Sequence, residues 1–164
     1  MKKVIYFVIC IVMLLSLSAC NKNSNSIEHP VSFYYRNAIV YYNSEDAVIA
    51  PETRDSAGYN PTGIMNLYLS GPLSPDLQSP FPAGVSVHYI VQNNDCLYIG
   101  LSQSFDELSS MEQTIAYACL FKTLAGLTQC STVEISFKDA ASNANNYIVI
   151  DQDSLIFMDN INPY

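Results

Sequence analysis

Within Leu14-Leu15-Ser16-Leu17-Ser18-Ala19-Cys20 the chain changes solvent. An apolar run ends in small residues and a cysteine, and Asn21-Lys22-Asn23-Ser24-Asn25-Ser26 then follows, polar throughout. The run begins behind Lys2 and Lys3, is apolar from Val4 to Leu15 and continues weakly to Ala19. A membrane-spanning helix needs about 20 apolar residues. This run is shorter, and its positive start, apolar middle and small-residue end have the layout of a secretory signal that is removed after export. Cutting after Ala19 leaves 145 of the 164 residues, enough for one domain with its own core.

Leu17-Ser18-Ala19-Cys20 resembles the bacterial lipobox. That resemblance implies a diacylglyceryl group on the Cys20 sulfur, cleavage before the cysteine and an extracytoplasmic domain held at the cell membrane. Residues 20–30 then form a flexible tether and residues 31–164 the folded part. Each buried lipid CH₂ contributes about 0.8 kcal/mol, so two acyl chains hold a protein stably on a bilayer. Removing residues 1–19 takes away Lys2 and Lys3 but none of the 15 acidic residues. Lys+Arg falls from 7 to 5 and the formal charge moves from −8 to −10. Such a surface repels phosphate backbones, which sets nucleic-acid binding aside.

Beyond the tether, Val31, Phe33 and Tyr35 alternate with Ser32, Tyr34 and Arg36, the period of a half-buried strand. Residues 39–42 and 47–50 read as further extended pieces around a polar turn. Asn60-Pro61 opens a short helix: asparagine caps it, and proline suits a first position whose N–H would have no partner. Ile64, Leu67 and Tyr68 share its face, and Gly71-Pro72 closes it. Residues 72–84 hold four prolines and read as an irregular loop. Val85, Val87, Tyr89 and Val91 then form one alternating phase, and Leu97, Ile99 and Leu101 another. Asn93-Asn94-Asp95 between them predicts a β-hairpin. Ser109 and Glu112 have capping-box spacing. They precede a helix whose apolar stripe runs through Ile115, Ala116, Cys119, Leu120, Thr123, Leu124 and Leu127, with Gly126 as its expected stop. A strand at 132–138, a polar turn at 142–146 and apolar pieces at 147–150 and 155–158 complete the pattern. The order predicts an α+β domain with a small, mostly antiparallel sheet and two helices packed on one face.

Signs of catalytic chemistry are sparse. His29 lies in the tether, and His88 falls on the polar phase of a strand. Neither Ser70 nor Ser102 has the Gly-x-Ser-x-Gly context of a nucleophile elbow. Asp106 and Glu107 precede a helix N-terminus, where negative charge is favourable without catalysis. Asp151 and Asp153 lack the glycine and distal glutamate of a calcium loop. No phosphate loop, zinc spacing or cofactor signature is present. With Cys20 lipidated, Cys96, Cys119 and Cys130 remain. A bridge between two of them and buried free thiols are both compatible with export.

Several features occur in a recognisable order: Phe33-Tyr34-Tyr35, Leu69-Ser70-Gly71-Pro72, Phe81-Pro82-Ala83-Gly84-Val85-Ser86-Val87, Leu101-Ser102-Gln103-Ser104-Phe105, Thr123-Leu124-Ala125-Gly126-Leu127 and Val133-Glu134-Ile135. This series resembles the GerMN domain of spore-germination and sporulation proteins over residues 31–140, with 141–164 as a C-terminal extension. The resemblance implies a non-catalytic binding or assembly module of the cell envelope, similar in build to ring-building modules of secretion and sporulation complexes. Its implied partners are the membrane, through the lipid on Cys20, and another envelope protein, with a homo-oligomer also open. The hairpin departs from the family pattern, with Asn93-Asn94-Asp95-Cys96 where an acidic-glycine turn is common.

Twelve tyrosines and no tryptophan mark the chain. Tyr34, Tyr98 and Tyr117 fall on outward phases and form the candidate interaction surface, since tyrosine combines contact area with a polar tip. The plainer account is that tyrosine is a good strand former. The alternative function is capture of a sugar or cell-wall fragment, which requires a concave pocket that the loop at 72–84 could rim. For the anchor the expected outcome is specific. Cys20→Ala leaves an unprocessed precursor, longer by residues 1–19, that no longer incorporates labelled palmitate.

Overall fold

The computed structural model describes residues 27–39, 48–102, 105–137 and 147–154. The tether before residue 27, the extended piece expected at 39–42 beyond Ile39, the polar turn at 43–46, the turn at 142–146 and the apolar piece at 155–158 lie outside them. Among the described residues seven strands and two helices follow one another as β1 (Pro30–Asn37), β2 (Ile49–Asp55), α1 (Pro61–Leu69), β3 (Leu77–Gln78), β4 (Val87–Asn93), β5 (Cys96–Leu101), α2 (Ser110–Thr128), β6 (Thr132–Phe137) and β7 (Tyr147–Asp151). The fold is α+β and mostly antiparallel, as the pattern predicts. The strands divide into two sheets, ordered β2-β1-β3 and β4-β5-β6-β7. Among the described strands only β5 and β6 run parallel, because α2 carries the chain back between them.

Both helices are started by chemistry visible in the sequence, and the first is also stopped by it. The Asn60 side chain accepts the Gly63 amide, Pro61 occupies the first turn, and Gly71 takes a left-handed φ of 92° after the last turn. The Ser109–Glu112 capping box is formed in both directions. Gly126 is not the stop expected of it. α2 runs on to Thr128, and Gln129 adopts the left-handed cap itself at φ 58°. Burial of Cys130 immediately after the cap draws the chain inward and offsets the strain of a non-glycine residue there.

β2 departs most from expectation. The alternation places a strand at 47–50, whereas the paired segment is Ile49-Ala50-Pro51-Glu52-Thr53-Arg54-Asp55. Proline and three charged residues hide it. Pro51 lies opposite Tyr34, and the bonds Asn37 N–H to Val48 O and Ser56 N–H to His29 O set the ladder's phase. In that phase the missing N–H of Pro51 would have faced the outer edge, where it costs no ladder bond. Arg54 is buried beside the rings of Phe33 and Tyr35, with its guanidinium carbon 5.6 and 5.7 Å from their centroids. Its Nε lies 2.5 Å from Glu52 Oε1, its Nη1 donates to Leu67 O at 3.2 Å, and its Nη2 donates to Gly71 O. Glu52 also accepts the amides of Leu73 and Ser74 at 2.9 and 2.8 Å. Burial alone would raise its pKa. The Ser74 amide, the Arg54 side chain and the Leu73 amide outweigh burial and hold the carboxyl below its ordinary value.

The helices join the two sheets. α1 packs at β4, and α2 packs at β6, β7 and β1. The shared core holds Phe33, Tyr35, Tyr68, Phe81 and Phe105 in a chain of ring contacts, backed by Leu97, Ile99, Leu101, Val133 and Ile135. Thr123, fully buried, accepts the Tyr34 amide at 2.9 Å, and Tyr68 donates to the Tyr34 carbonyl at 2.7 Å. Thr123→Val keeps the shape and removes the acceptor. It is expected to lower stability by about 1–3 kcal/mol in urea titrations, while Thr123→Ser retains most of it.

Candidate functional site

The strand pairing of the second sheet defines its two faces. Leu97, Ile99 and Leu101 of β5 and Val133 and Ile135 of β6 are buried toward the helices. The residues between them point the other way. Cross-strand partners assemble that outer face in rows: Val91, Tyr98, Glu134 and Val149 in one, and Tyr89, Gly100, Ser136 and Tyr147 in the next. Neighbouring strands lie about 4.8 Å apart, so each row crosses roughly 14 Å of sheet. Tyr89 is 45% exposed, Val91 54%, Tyr147 60% and Val149 47%, an apolar density that the remaining strands do not match.

A register shift builds this face. The β4–β5 ladder is regular from Asn93 to Tyr89 and slips between Tyr89 and Val87, at His88. The extra residue changes the phase of the strand. Ile90 therefore turns inward against the core, while Tyr89 and Val91, expected inward from the alternation with Val85 and Val87, turn outward. The unbroken apolar triplet Tyr89-Ile90-Val91 is the sequence signal for this, because it leaves neither phase excluded. Behind the shift the Ser86 amide donates to Ser102 Oγ at 3.0 Å, and the Ser102 amide donates to Ser86 O at 2.9 Å.

Tyr89 lies flat across the sheet. Its ring covers Gly100, where an added Cβ would stand 2.3 Å from a ring carbon, and its hydroxyl reaches Ser136 Oγ at 2.6 Å. Glycine at position 100 is thus what lets a tyrosine bridge from β4 to β6.

The three tyrosines singled out from sequence do not form one surface. Tyr98 stands on the outer face, half-buried between Val91 and Glu134. The Cys96 thiol beside it, and to a smaller degree the Glu134 carboxylate, pushes its phenol above the ordinary value. Tyr34 belongs to β1 of the other sheet, with Lys122 Nζ 5.6 Å from its ring centroid. Tyr117 is not turned out to solvent. It stacks on Phe105 at 5.2 Å, and burial, aided by the Asp106 charge, pushes its phenol up to about 12.

The remaining candidates have structural partners. Ser70 Oγ donates to Leu67 O at 2.7 Å, and His88 is exposed at the register shift. Asp151 accepts the Ser154 amide at 2.6 Å within its own turn. Cys96 is half-exposed, and Cys119 and Cys130 are buried. All three are free thiols, with burial pushing Cys119 up to about 12. Among the described residues no three His, Cys, Asp or Glu side chains cluster as metal ligands, and no helix is long and apolar enough to cross a membrane. A recess of about 280 Å³ lies against Asn37, Ala38, Ile39, Pro75 and Asp76, at the start of the proline-rich loop.

Comparison with known proteins gives a consistent relation. The family model Germane, sporulation and spore germination, matches residues 33–141. The tandem GerMN domains of the sporulation protein GerM from Bacillus subtilis superpose with a TM-score of 0.54 at 17% identity, over 75% of this chain and 43% of that one. The chain thus spans less than half the length of that tandem structure. A protein described as a lipoprotein from Clostridium perfringens superposes with a TM-score of 0.45 at 12% identity, over 77% of this chain and 89% of that one. No curated protein matches the chain. The geometry of the outer face sets its own expectation. Gly100→Val displaces the Tyr89 ring while changing stability by no more than about 1 kcal/mol, since valine is the better strand former. Nitration of Tyr89 by tetranitromethane, mapped by mass spectrometry, then accelerates.

Proposed function

The chain belongs to the Germane family of sporulation and spore germination, and from that premise we propose that it is a lipid-anchored, non-catalytic docking module of the cell envelope. In this reading Cys20 carries the lipid, residues 20–30 are the tether, and the domain binds another envelope protein on the extracytoplasmic side. The observation that carries it is the outer face of β4–β7, where Tyr89, Val91, Tyr147 and Val149 are each about half exposed on a sheet whose other face is buried. Monomeric proteins seldom leave contiguous apolar surface open without a binding role. Tyrosine is among the residues that most often dominate interface energies.

Capture of a sugar or cell-wall fragment is the second reading. Its candidate site is the recess at Asn37 and Asp76, at about 280 Å³ smaller than the roughly 300–1,000 Å³ of small-molecule sites.

In cells, p-benzoylphenylalanine placed at Tyr147 is expected to form a specific adduct on irradiation. The Tyr89→Ala/Val91→Ser double variant should lower its yield about tenfold, and Tyr34→Ser, on the other sheet, should leave it unchanged. An absent adduct, or one indifferent to the double variant, refutes docking through this face.

A further inference from the structure

The second sheet is one-sided in charge. Its strands read Val-His-Tyr-Ile-Val-Gln-Asn, Cys-Leu-Tyr-Ile-Gly-Leu, Thr-Val-Glu-Ile-Ser-Phe and Tyr-Ile-Val-Ile-Asp, without a lysine or arginine. The cations among the described residues are Arg36, Arg54 and Lys122, and all three belong to the first sheet or to α2. Each has company there: Arg54 has Glu52, Arg36 Nη1 lies 3.8 Å from Glu112 Oε1, and Lys122 stands over the Tyr34 ring.

The acids of the second sheet differ from one another. Asp95 is engaged by Ser131, and Asp151 by Ser154. Glu134 has no ion-pair partner among the described residues. It sits on β6, an inner strand of the sheet, with Tyr98 and Val149 as its cross-strand neighbours. A single carboxylate in the middle of an apolar row is a poor surface for self-association. A two-fold contact centred on this row would press the Glu134 carboxylates of both copies into the same desolvated patch, and like charges there cost several kcal/mol. The same carboxylate suits an incoming guanidinium, which can bond it in bidentate fashion and stack on an adjacent tyrosine ring.

Resting on the docking reading above, we infer that the outer face of β4–β7 takes a cationic partner segment, one that sets an arginine on Glu134 between flanking apolar side chains on Tyr98 and Val149. The partner is thus a basic protein segment, and a second copy of this acidic chain is disfavoured.

The test uses the full-length protein in detergent and fluorescein-labelled Leu-Arg-Val-Arg-Leu as the probe, with Leu-Glu-Val-Glu-Leu as its control. Fluorescence anisotropy is expected to show binding of the arginine peptide only. The affinity should weaken about fivefold or more in Glu134→Gln and with added salt, while Glu134→Asp keeps most of it. Circular dichroism of each variant establishes that the fold is retained. No binding of the arginine peptide, equal binding of both peptides, or binding indifferent to Glu134→Gln overturns the inference. If the Tyr147 adduct nevertheless forms in cells, docking through the face stands and only the cationic partner is wrong. If that adduct is a second copy of this chain, the face is a self-association surface and the inference fails in that way.

Discussion

The open edge of β1 is the constraint on which the arrangement of the other elements depends. β2 pairs along one side of the strand, but on the other side β3 reaches only Arg36 and Asn37. Tyr34 is left with its amide and carbonyl pointing at no strand. Each unmet group would cost about 1–3 kcal/mol if buried. Thr123 of α2 satisfies the amide and Tyr68 of α1 satisfies the carbonyl. One residue of one strand thereby fixes where both helices stand, using two hydroxyls that are themselves fully buried. Tyr35 reinforces the arrangement by donating to the Tyr68 carbonyl at 2.8 Å. The edge that could have recruited another strand is closed by helices, one of the standard ways of blunting such an edge.

Once the helices are held against β1, they can cover only one face of the four-stranded sheet. Its outer face is then left to whatever side chains the strand phase delivers. A uniform alternation through β4 would have sent Tyr89 and Val91 into the core and left Ile90 outside. The slip at His88 reverses that, and Gly100 gives the displaced tyrosine ring room to lie flat. Two irregularities, each slightly unfavourable for a strand, together build the most apolar exposed surface of the second sheet.

Much of this fold was legible in the sequence because local chemistry and tertiary packing agree. Asn60-Pro61 and Ser109-x-x-Glu112 start helices wherever they occur before an apolar stripe. Val31, Phe33 and Tyr35 alternate because one side of β1 faces the core. What could not be read has a common cause. β2 is held by tertiary bonds of Arg54 and Glu52 to the end of α1, so its polarity disguised it. Gln129 takes a glycine's conformation because the chain must turn to bury Cys130. Tyr117 appears outward on a helical wheel, but Phe105, from a neighbouring loop, covers it. The outer face was half legible: Tyr98 could be placed there by alternation, whereas Tyr89 and Val91 depend on a slip that alternation cannot register.

The distribution of charge follows from the same division of labour. The one buried cation among the described residues, Arg54, stands where a carboxylate and backbone carbonyls would otherwise be buried alone. That need arises in the first sheet, where Glu52 and the last carbonyls of α1 converge on Arg54. The second sheet buries only apolar side chains on its inner face and therefore needs no internal counter-ion. Its strands can dispense with lysine and arginine, and a carboxylate such as Glu134 can stand on the outer face without serving the fold. A carboxylate with no ion-pair partner among the described residues, at the centre of a broad, half-apolar surface, is available for recognition, and its sign then decides what can come close.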